Sequence, residues 1–287
     1  GDNPKYKDNI PVLGAACDGD GDRNMILGAH TFVNPADSLA IIAENAGDCV
    51  PYFIDPVTKK VHIKGVARSS PTAGALDIVA HKKGLHCFET PTGWKFFGNL
   101  MDADQLSICG EESFGTGCDV IREKDGLWSV LTWMSIIAHK TNLLAAKNIS
   151  EGKIKKGEEQ SSPLVTVSDI VHEYWHRNGR FFIQRHDYDV ADKNVGHDFY
   201  EGLKPKIVGK TTEEIEKAYP SCGIKSADVF DYTDPIDHSI SLNQGVRIYF
   251  LDGSRVVVRL SGTAGSGATI RVYFEKYSKD ETKFDSD

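Results

Sequence analysis

Residues 11–28 read PVLGAACDGDGDRNMILG. A short apolar run, Pro11–Cys17, stops abruptly at Asp18-Gly19-Asp20-Gly21-Asp22-Arg23, and a second apolar stretch, Asn24–Leu27, follows at once. The pattern predicts a buried strand, a loop and a second strand. Three carboxylates at alternate positions can converge, because alternate side chains of an extended turn point the same way. Such oxygens suit a hard divalent cation, and Mg2+ commonly shares its coordination sphere with a substrate phosphate. The rival is a calcium-binding EF-hand loop, which needs glycine at its sixth position and glutamate at its twelfth. Here those are Arg23 and Ala29, so that reading fails. A merely solvated acidic turn is disfavoured by the apolar strand that feeds it, since ligands collect at strand ends in α/β domains.

Outward from this loop the chain alternates. Asn34 is placed to cap a helix with Pro35 at its first position, Asp37 in its first turn and Leu39, Ile41 and Ile42 as apolar contacts. Val61–Ala67 reads as a strand, and Ser70-Pro71 opens a helix carrying Leu76, Ile78 and Val79 that Gly84 closes. Leu85–Phe88 and Leu106–Cys109 are further strands, and Trp94–Met101 is a short helix. Leu127–Lys140 is a helix, with Leu127, Val130, Leu131, Met134 and Ala138 at helical spacing. Alternating strands and helices predict a mixed, mostly parallel α/β domain over 35–183. Within it, 146–163 (AKNISEGKIKKGEEQSSP) is charged and aperiodic, a surface insertion whose composition permits disorder. Thr166 and Asp169 resemble a capping box for a helix bearing Ile170, Val171, Tyr174 and Trp175.

The remainder changes character. Gly245–Leu251, Ser254–Leu260 and Thr269–Glu275 alternate as β segments, the first two joined by the hairpin signal Asp252-Gly253. Asn194–Lys204 and Thr211–Tyr219 read as helices. A smaller α+β domain with an antiparallel sheet is therefore expected over 184–287.

Composition narrows the function classes. The chain has 287 residues, 40% hydrophobic and 26% charged, enough for packed cores. No run of about 18 apolar residues exists, so no transmembrane segment is expected, and the polar Gly1–Asn9 lacks the apolar stretch of a signal peptide. A net charge of −8 argues against a nucleic-acid partner held by bulk electrostatics, though local arginines can still hold a phosphorylated small molecule. The six cysteines are scattered without a Cys-x-x-Cys pair, which favours a reducing, cytoplasmic compartment.

Two further stretches can carry chemistry. Arg259-Leu260-Ser261-Gly262-Thr263 ends a β segment, glycines and small residues follow, and Arg271 lies in the next. Small residues let backbone N–H groups form an anion nest, Ser261 and Thr263 add hydroxyls, and the two arginines offer planar forks for phosphate oxygens. Gly110-Glu111-Glu112-Ser113-Phe114-Gly115 follows a strand, and its carboxylates and hydroxyl suit sugar hydroxyls. Thr92-Gly93-Trp94 and Lys124 are unremarkable by themselves. His30, His81, His139 and His238 lack ligand spacing and read as surface or packing residues. Trp133, Trp175 and Phe96-Phe97 read as core.

Together these loops resemble the phosphoglucomutase family of α-D-phosphohexomutases. CDGDGDRNMILG is similar to its metal loop, ETPTGWKFFGNLMD and CGEESFGTG to its sugar-facing loops, IREKDGLW to its lysine-bearing segment and RLSGTAGSGATIRVY to its phosphate loop, in family order over about 11–275. The likeness is nearest the glucose-phosphate branch, including parafusin-like members. It implies that Asp18, Asp20 and Asp22 hold Mg2+, and that Asp22 and Arg23 lie at the sugar-phosphate site. It places Thr92, Gly93, Glu111 and Ser113 against the hexose and Lys124 beside the reacting oxygens. Arg259, Ser261, Gly262, Thr263 and Arg271 would grip the non-transferring phosphate, with Arg23 and Lys124 as the catalytic pair. Residues 1–34 would be the end of a second mutase domain, 35–183 the third and 184–287 the fourth. The implied reaction interconverts glucose 1-phosphate and glucose 6-phosphate through a phosphoserine and a glucose 1,6-bisphosphate intermediate. The family's serine loop is absent from this sequence, its tail is cut short after Phe284, and the 146–163 insertion departs from its pattern. Two alternatives accompany this reading: a non-catalytic, parafusin-like structural or regulatory paralogue, and a mutase for another hexose phosphate.

Overall fold

The structure, a computed structural model, describes residues 10–262 and 267–286. Strands β1 (Gly14–Cys17), β2 (Asn24–Gly28) and β3 (Thr31–Val33) form a small antiparallel sheet with the acidic loop at the β1–β2 turn. Contrary to the expectation of a buried strand, Ala15, Ala16 and Cys17 are exposed, because β1 is an edge with no further described strand beside it.

Helix α1 (Pro35–Cys49) is the hub of the core. The Asn34 side chain accepts the Asp37 N–H at 2.9 Å, and Pro35 occupies the first turn. Leu39, Ala40, Ile41, Ile42, Ala43 and Ala46 are all buried, so the helix is apolar around nearly its whole circumference. Its polar positions are tied by indoles: Trp133 Nε1 donates to Ser38 Oγ and Trp175 Nε1 to Asp37 Oδ2, each at 2.9 Å. Burial pushes the Asp37 carboxyl up to about 6, against the Trp175 and Asn34 hydrogen bonds that lower it.

A mixed sheet runs in the order β5-β4-β6-β7, from β4 (Gly65–Ser69), β5 (His86–Thr90), β6 (Ile108–Gly110) and β7 (Thr116–Cys118). β4 is parallel to β5 and β6, and β7 returns antiparallel to β6. Strand alternation sends Val66 and Ile108 towards α1 and α2 (Ala75–Lys83), and Ala67 and Cys109 towards α3 (Trp94–Asp102). Helix α2 starts at Ala75, later than Ser70-Pro71 suggests, because residues 70–74 form a turn. Gly84 closes the helix in the left-handed region at φ 67°.

Helix α4 (Gly126–Ser150) is longer than its apolar spacing indicates, and its buried face differs. Leu127, Leu131 and Met134 are more than half exposed, while Ser129, Thr132, Trp133, Ile136 and Ile137 face α1 and the core. The small hydroxyls allow close approach and the indole fills the space. The 146–163 stretch begins as the last turn of α4 and continues as turns and a 3-10 helix at Glu159–Ser161, held by Asn148 to Ser162 at 3.0 Å. Helix α5 (Val167–Asn178) carries the full capping box between Thr166 and Asp169.

The second sheet is antiparallel, in the order β8-β14-β13-β12-β9. Its strands are β8 (Arg180–Val190), β9 (Ile224–Val229), β12 (Val246–Phe250), β13 (Arg255–Gly262) and β14 (Ala268–Ser278), and Gly253 closes the β12–β13 turn at φ 83°. A short ribbon pairs β10 (Tyr232–Thr233) with β11 (Ile240–Ser241). Helices α6 (Lys193–Ile207) and α7 (Thr212–Ala218) cover one face through Tyr200, Ile207, Ile215, Val246, Val258 and Ile270. The opposite face carries Arg247, Arg255, Arg259 and Arg271, the last two directly paired.

That arginine face meets the mixed sheet at Glu89, at the end of β5. Glu89 Oε2 accepts from Arg247 Nη1 at 3.1 Å, and Oε1 from Ser70 Oγ at 2.8 Å, Arg255 Nη1 at 3.2 Å and Arg68 Nη1 at 3.4 Å. Each arginine also forks a second carboxylate: Arg68 on Asp77, Arg247 on Asp228 and Arg255 on Glu275. Burial pushes the Glu89 carboxyl up, yet Arg68, Ser70, Arg247 and Arg255 together bring it below the ordinary glutamate range. Its ionised form therefore stabilises the fold above the unfolded-state pKa, and that contribution is lost as pH falls through the depressed folded value. Glu89→Gln is expected to lower stability by about 2 kcal/mol, within the range for hydrogen bonds to buried charges, and to flatten the acid limb of a urea-midpoint-against-pH curve. A variant whose curve superimposes on the parent's would remove Glu89 from this role.

Candidate functional site

The acidic loop between β1 and β2 is a tight turn and not the extended one its spacing suggests. Gly21 N–H bonds the Asp18 carbonyl at 3.1 Å, and Gly21 sits at φ 77°. The turn brings carboxylate oxygens of Asp18, Asp20 and Asp22 within 4.8 Å of one another. Arg23 lies against the first of them, its N–H on Asp18 Oδ1 at 3.1 Å and its Nη1 on Oδ2 at 3.0 Å. The Arg23 N–H holds the Asp18 carboxyl below the ordinary aspartate range. Asp22 Oδ1 is buried without a hydrogen-bond partner, while its Oδ2 lies 3.3 Å from Lys124 Nζ. An orphaned carboxylate oxygen beside two others is a donor set suited to a hard divalent cation.

Backbone contacts fasten this loop to the 110–115 loop. Asn24 donates from N and Nδ2 to the Phe114 carbonyl at 3.0 and 3.2 Å, and Arg23 bridges Gly115. Phe114 is held at φ 69°, an uncommon conformation for a bulky residue that the surrounding contacts enforce. A Cβ on Gly115 would lie 2.6 Å from Lys124 Cδ, so its absence lets the lysine cross the loop to Asp22 and over the Trp94 ring. On the other side the start of α4 presses in. Gly126 N–H donates to the Gly21 carbonyl at 3.1 Å, and Asp125 caps the helix through the Trp128 N–H at 2.8 Å.

Glu111 is buried, and its Oε1 accepts the Gly93 N–H at 2.9 Å, which joins the 92–94 turn to the 110–115 loop. Burial raises its carboxyl above the ordinary range, with the neighbouring Glu112 adding to the effect and Lys124 and Arg259 opposing it. Thr92 Oγ1 and Trp94 Nε1 are buried without partners, and Ser113 is half-buried. Glu112 turns to Ser69 Oγ at 2.8 Å.

In the antiparallel sheet Arg259 and Arg271 are register partners, as are Ser261 and Thr269 and, at the strand ends, Gly262 and Ala268. Thr263 lies outside the described residues. Arg259 Nε donates to the Gln244 carbonyl at 3.3 Å. Arg271 Nε is buried without a hydrogen-bond acceptor, 3.5 Å from Asp187 Oδ2. Sequence reasoning passed over Glu89, Arg185 and Asp187. The signal for the last two was the alternation Arg185-x-Asp187-x-Asp189 in a run that forms β8. A pocket of about 240 Å³ backs onto this region between Glu112, Phe114, Arg185 and Tyr273. A larger cleft, about 750 Å³, adjoins it through the shared Ile183, Gln184, Arg255 and Phe274, extends among Trp175, Phe182 and Phe250, and contains none of the convergent aspartates. The chemistry, and not the volume, marks the site.

Residues 47–156 match the family model described as phosphoglucomutase/phosphomannomutase, alpha/beta/alpha domain III, and residues 180–287 match that of the phosphoglucomutase-1 C-terminal domain. The chain is 50% identical over 282 residues to a chloroplastic phosphoglucomutase of Arabidopsis thaliana, covering 98% of this chain and 42% of that protein. To the cytoplasmic phosphoglucomutase of Populus tremula it is 51% identical over 277 residues, 95% of this chain and 44% of that one. Among solved structures, the open form of the Paramecium exocytosis-sensitive phosphoprotein pp63/parafusin, a phosphoglucomutase, superposes with a TM-score of 0.75 at 48% identity. That match covers 96% of this chain and 43% of that one. The chain thus spans less than half the length of the curated relatives it matches. It belongs to the phosphoglucomutase family, of which it carries the third and C-terminal domains.

The contact between α4 and the acidic loop admits a sharp test. A Cβ on Gly126 would lie 2.6 Å from the Gly21 carbonyl oxygen and 2.7 Å from that of Arg23, both backbone. Gly126→Ala is therefore expected to cost about 1–3 kcal/mol by overpacking and to displace the acidic loop. Asp20→Asn should leave the melting temperature within a degree or two while weakening Mg2+ binding by roughly tenfold or more, since even outer-shell changes reach that size. Calorimetry showing equal Mg2+ affinity for Asp20→Asn and parent would dismiss the loop as a metal site.

Proposed function

We propose that the protein to which this chain belongs interconverts glucose 1-phosphate and glucose 6-phosphate, with the metal, sugar and phosphate loops supplied here and a phosphoserine supplied from upstream. The observation that carries the reading is the convergence of Asp18, Asp20 and Asp22 on a turn hydrogen-bonded to the 110–115 loop. The names of the matched relatives support it. In this reading 1–34 ends the second mutase domain, 35–183 is the third and 184–287 the fourth. The compartment is the cytoplasm, in keeping with six unpaired cysteines and with cytoplasmic relatives, beside which chloroplastic ones stand. No helix among the described residues is long and apolar enough to cross a membrane.

The three aspartates would hold Mg2+, which when bound neutralises charge on a transferring phosphoryl group. Lys124, braced between Asp22 and the Trp94 ring, places a positive charge beside that group. Arg23 orients Asp18 and presents its own guanidinium at the same edge. Thr92, with its unpartnered hydroxyl, and Gly93, Glu111 and Ser113 face the hexose. Glu111 spends one oxygen on the loop itself, so it positions as well as binds. Arg259, Ser261, Gly262, Thr263 and Arg271 hold the phosphate that is not reacting. Because glucose 1,6-bisphosphate must turn round between two transfers, one phosphate is gripped while the other moves. A nucleophile must also store the phosphoryl group in the interval. A parafusin-like, non-catalytic structural or regulatory role is the second reading; the Paramecium relative is named both an exocytosis-sensitive phosphoprotein and a phosphoglucomutase.

A coupled assay with Mg2+ and glucose 1,6-bisphosphate separates these readings. The chain alone is expected to show no turnover, and the protein extended upstream is expected to show it. Turnover by the chain alone would overturn this division of labour, and none by the extended protein would favour the second reading. In the extended protein Arg271→Ala should lower kcat/KM for glucose 1-phosphate by roughly 10- to 100-fold, the size of a lost charge-assisted hydrogen bond. Glu111→Gln and Ser113→Ala should impair turnover more than melting temperature.

A further inference from the structure

β8 lies beside β14, so three charged residues of β8 share a face with the proposed phosphate grip: Arg185 opposite Tyr273, Asp187 opposite Arg271 and Asp189 opposite Thr269. Asp189 is occupied, accepting the Thr269 hydroxyl at 2.8 Å. Asp187 is placed differently. Arg185 forks it, with Nε on Oδ1 at 2.7 Å and Nη2 on Oδ2, while Arg271 Nε stands 3.5 Å from Oδ2 outside hydrogen-bond geometry. The Asp187 and Arg271 side chains are both one-third exposed although Arg271 Nε itself is buried, so a competing anion can reach the arginine by other atoms than the one that faces Asp187. A phosphate and a carboxylate offer the guanidinium fork the same kind of acceptor.

We propose that Asp187 is an internal counter-ion for the phosphate grip, pairing loosely with Arg271 until a substrate phosphate takes that arginine over. The inference rests on reading Arg259–Arg271 as that grip. The Arg185 fork anchors Asp187, so the carboxylate does not follow when Arg271 turns to a ligand. It remains nearby as a fixed like charge that weakens the hold on the phosphate. For a reaction whose bisphosphate must let go and rebind turned round, a grip with built-in opposition releases faster than one made of arginines alone. Asp187 touches Arg271 and not the reacting atoms, and is a positioning residue.

The test uses the full-length protein, titrated calorimetrically with inorganic phosphate and assayed with glucose 1-phosphate. Asp187→Asn is expected to tighten phosphate binding roughly two- to fivefold, the span of a solvent-exposed ion pair, and to lower KM with no gain in kcat. Asp187→Ser should move both constants in the same direction, and Asp187→Glu should return them to within about twofold of the parent. If both neutral variants leave phosphate binding unchanged or weaken it, Asp187 only braces Arg271 and the inference fails. If Arg271→Ala leaves phosphate binding intact, the grip itself has been misplaced, and the inference goes with it.

Discussion

Glu89 is the point on which the geometry of this chain depends. One carboxylate at the end of β5 receives three guanidinium groups, one from its own domain and two from the antiparallel sheet. An apolar contact of similar area would hold the two parts together as well or better, since desolvating so many charges consumes most of what their attraction returns. Direction is what a set of planar forks adds. Each arginine has a second carboxylate fixing its plane, and Arg255 also donates to the Thr72 carbonyl at 3.0 Å. The sheet can therefore sit on β4 and β5 in few orientations. Since Arg259 and Arg271 share a face with Arg247 and Arg255, anchoring the second pair aims the first.

A separate set of constraints fixes the acidic loop, and these are steric. Two glycines stand where a methyl group would strike something: Gly126 against two carbonyl oxygens of the loop, and Gly115 against the Lys124 stem. The start of α4, the 110–115 loop and the β1–β2 turn thereby approach to backbone hydrogen-bond distance, and Lys124 is threaded through the gap. Side chains that meet in this way keep their positions because the backbone beneath them has nowhere else to go.

Much of this was legible in the residues. The helix starts at Asn34-Pro35 and Thr166–Asp169 are local chemistry, settled by side chains three residues apart, and so is the Asp252-Gly253 turn. The aspartate spacing of the acidic loop is equally local, although it predicts an extended turn where Gly21 makes a tight one. What escaped was long-range. The apolar stripe Leu127, Leu131, Met134 has the right period and marks the wrong face, because Ser129 and Thr132 pack inward where closeness to α1 counts for more than hydrophobicity. Glu89 reads as an ordinary charge at a strand end, and its partner Arg247 lies 158 positions away. β8 went unseen because Arg185, His186, Asp187 and Asp189 break the apolar alternation, and strand propensity yields to pairing with β14.

The arginines also show how an acidic chain can hold an anion. With a net charge of −8, the long-range field opposes a phosphate, but beyond about 8–10 Å physiological salt screens it. Within that distance what matters is which guanidinium groups still have a fork to offer. Arg68, Arg247 and Arg255 each satisfy two carboxylates and are committed to the fold. Among the described residues neither Arg259 nor Arg271 forks a carboxylate: the first donates to a backbone carbonyl, and the second keeps a loose contact at 3.5 Å. With Arg185, which forks Asp187, six positive charges on or against one face thus divide into four that are committed to carboxylates and two that remain available. The division follows strand register: Arg247 and Arg255 stand where Glu89 reaches them and Arg185 where Asp187 does, while Arg259 and Arg271 face each other across β13 and β14.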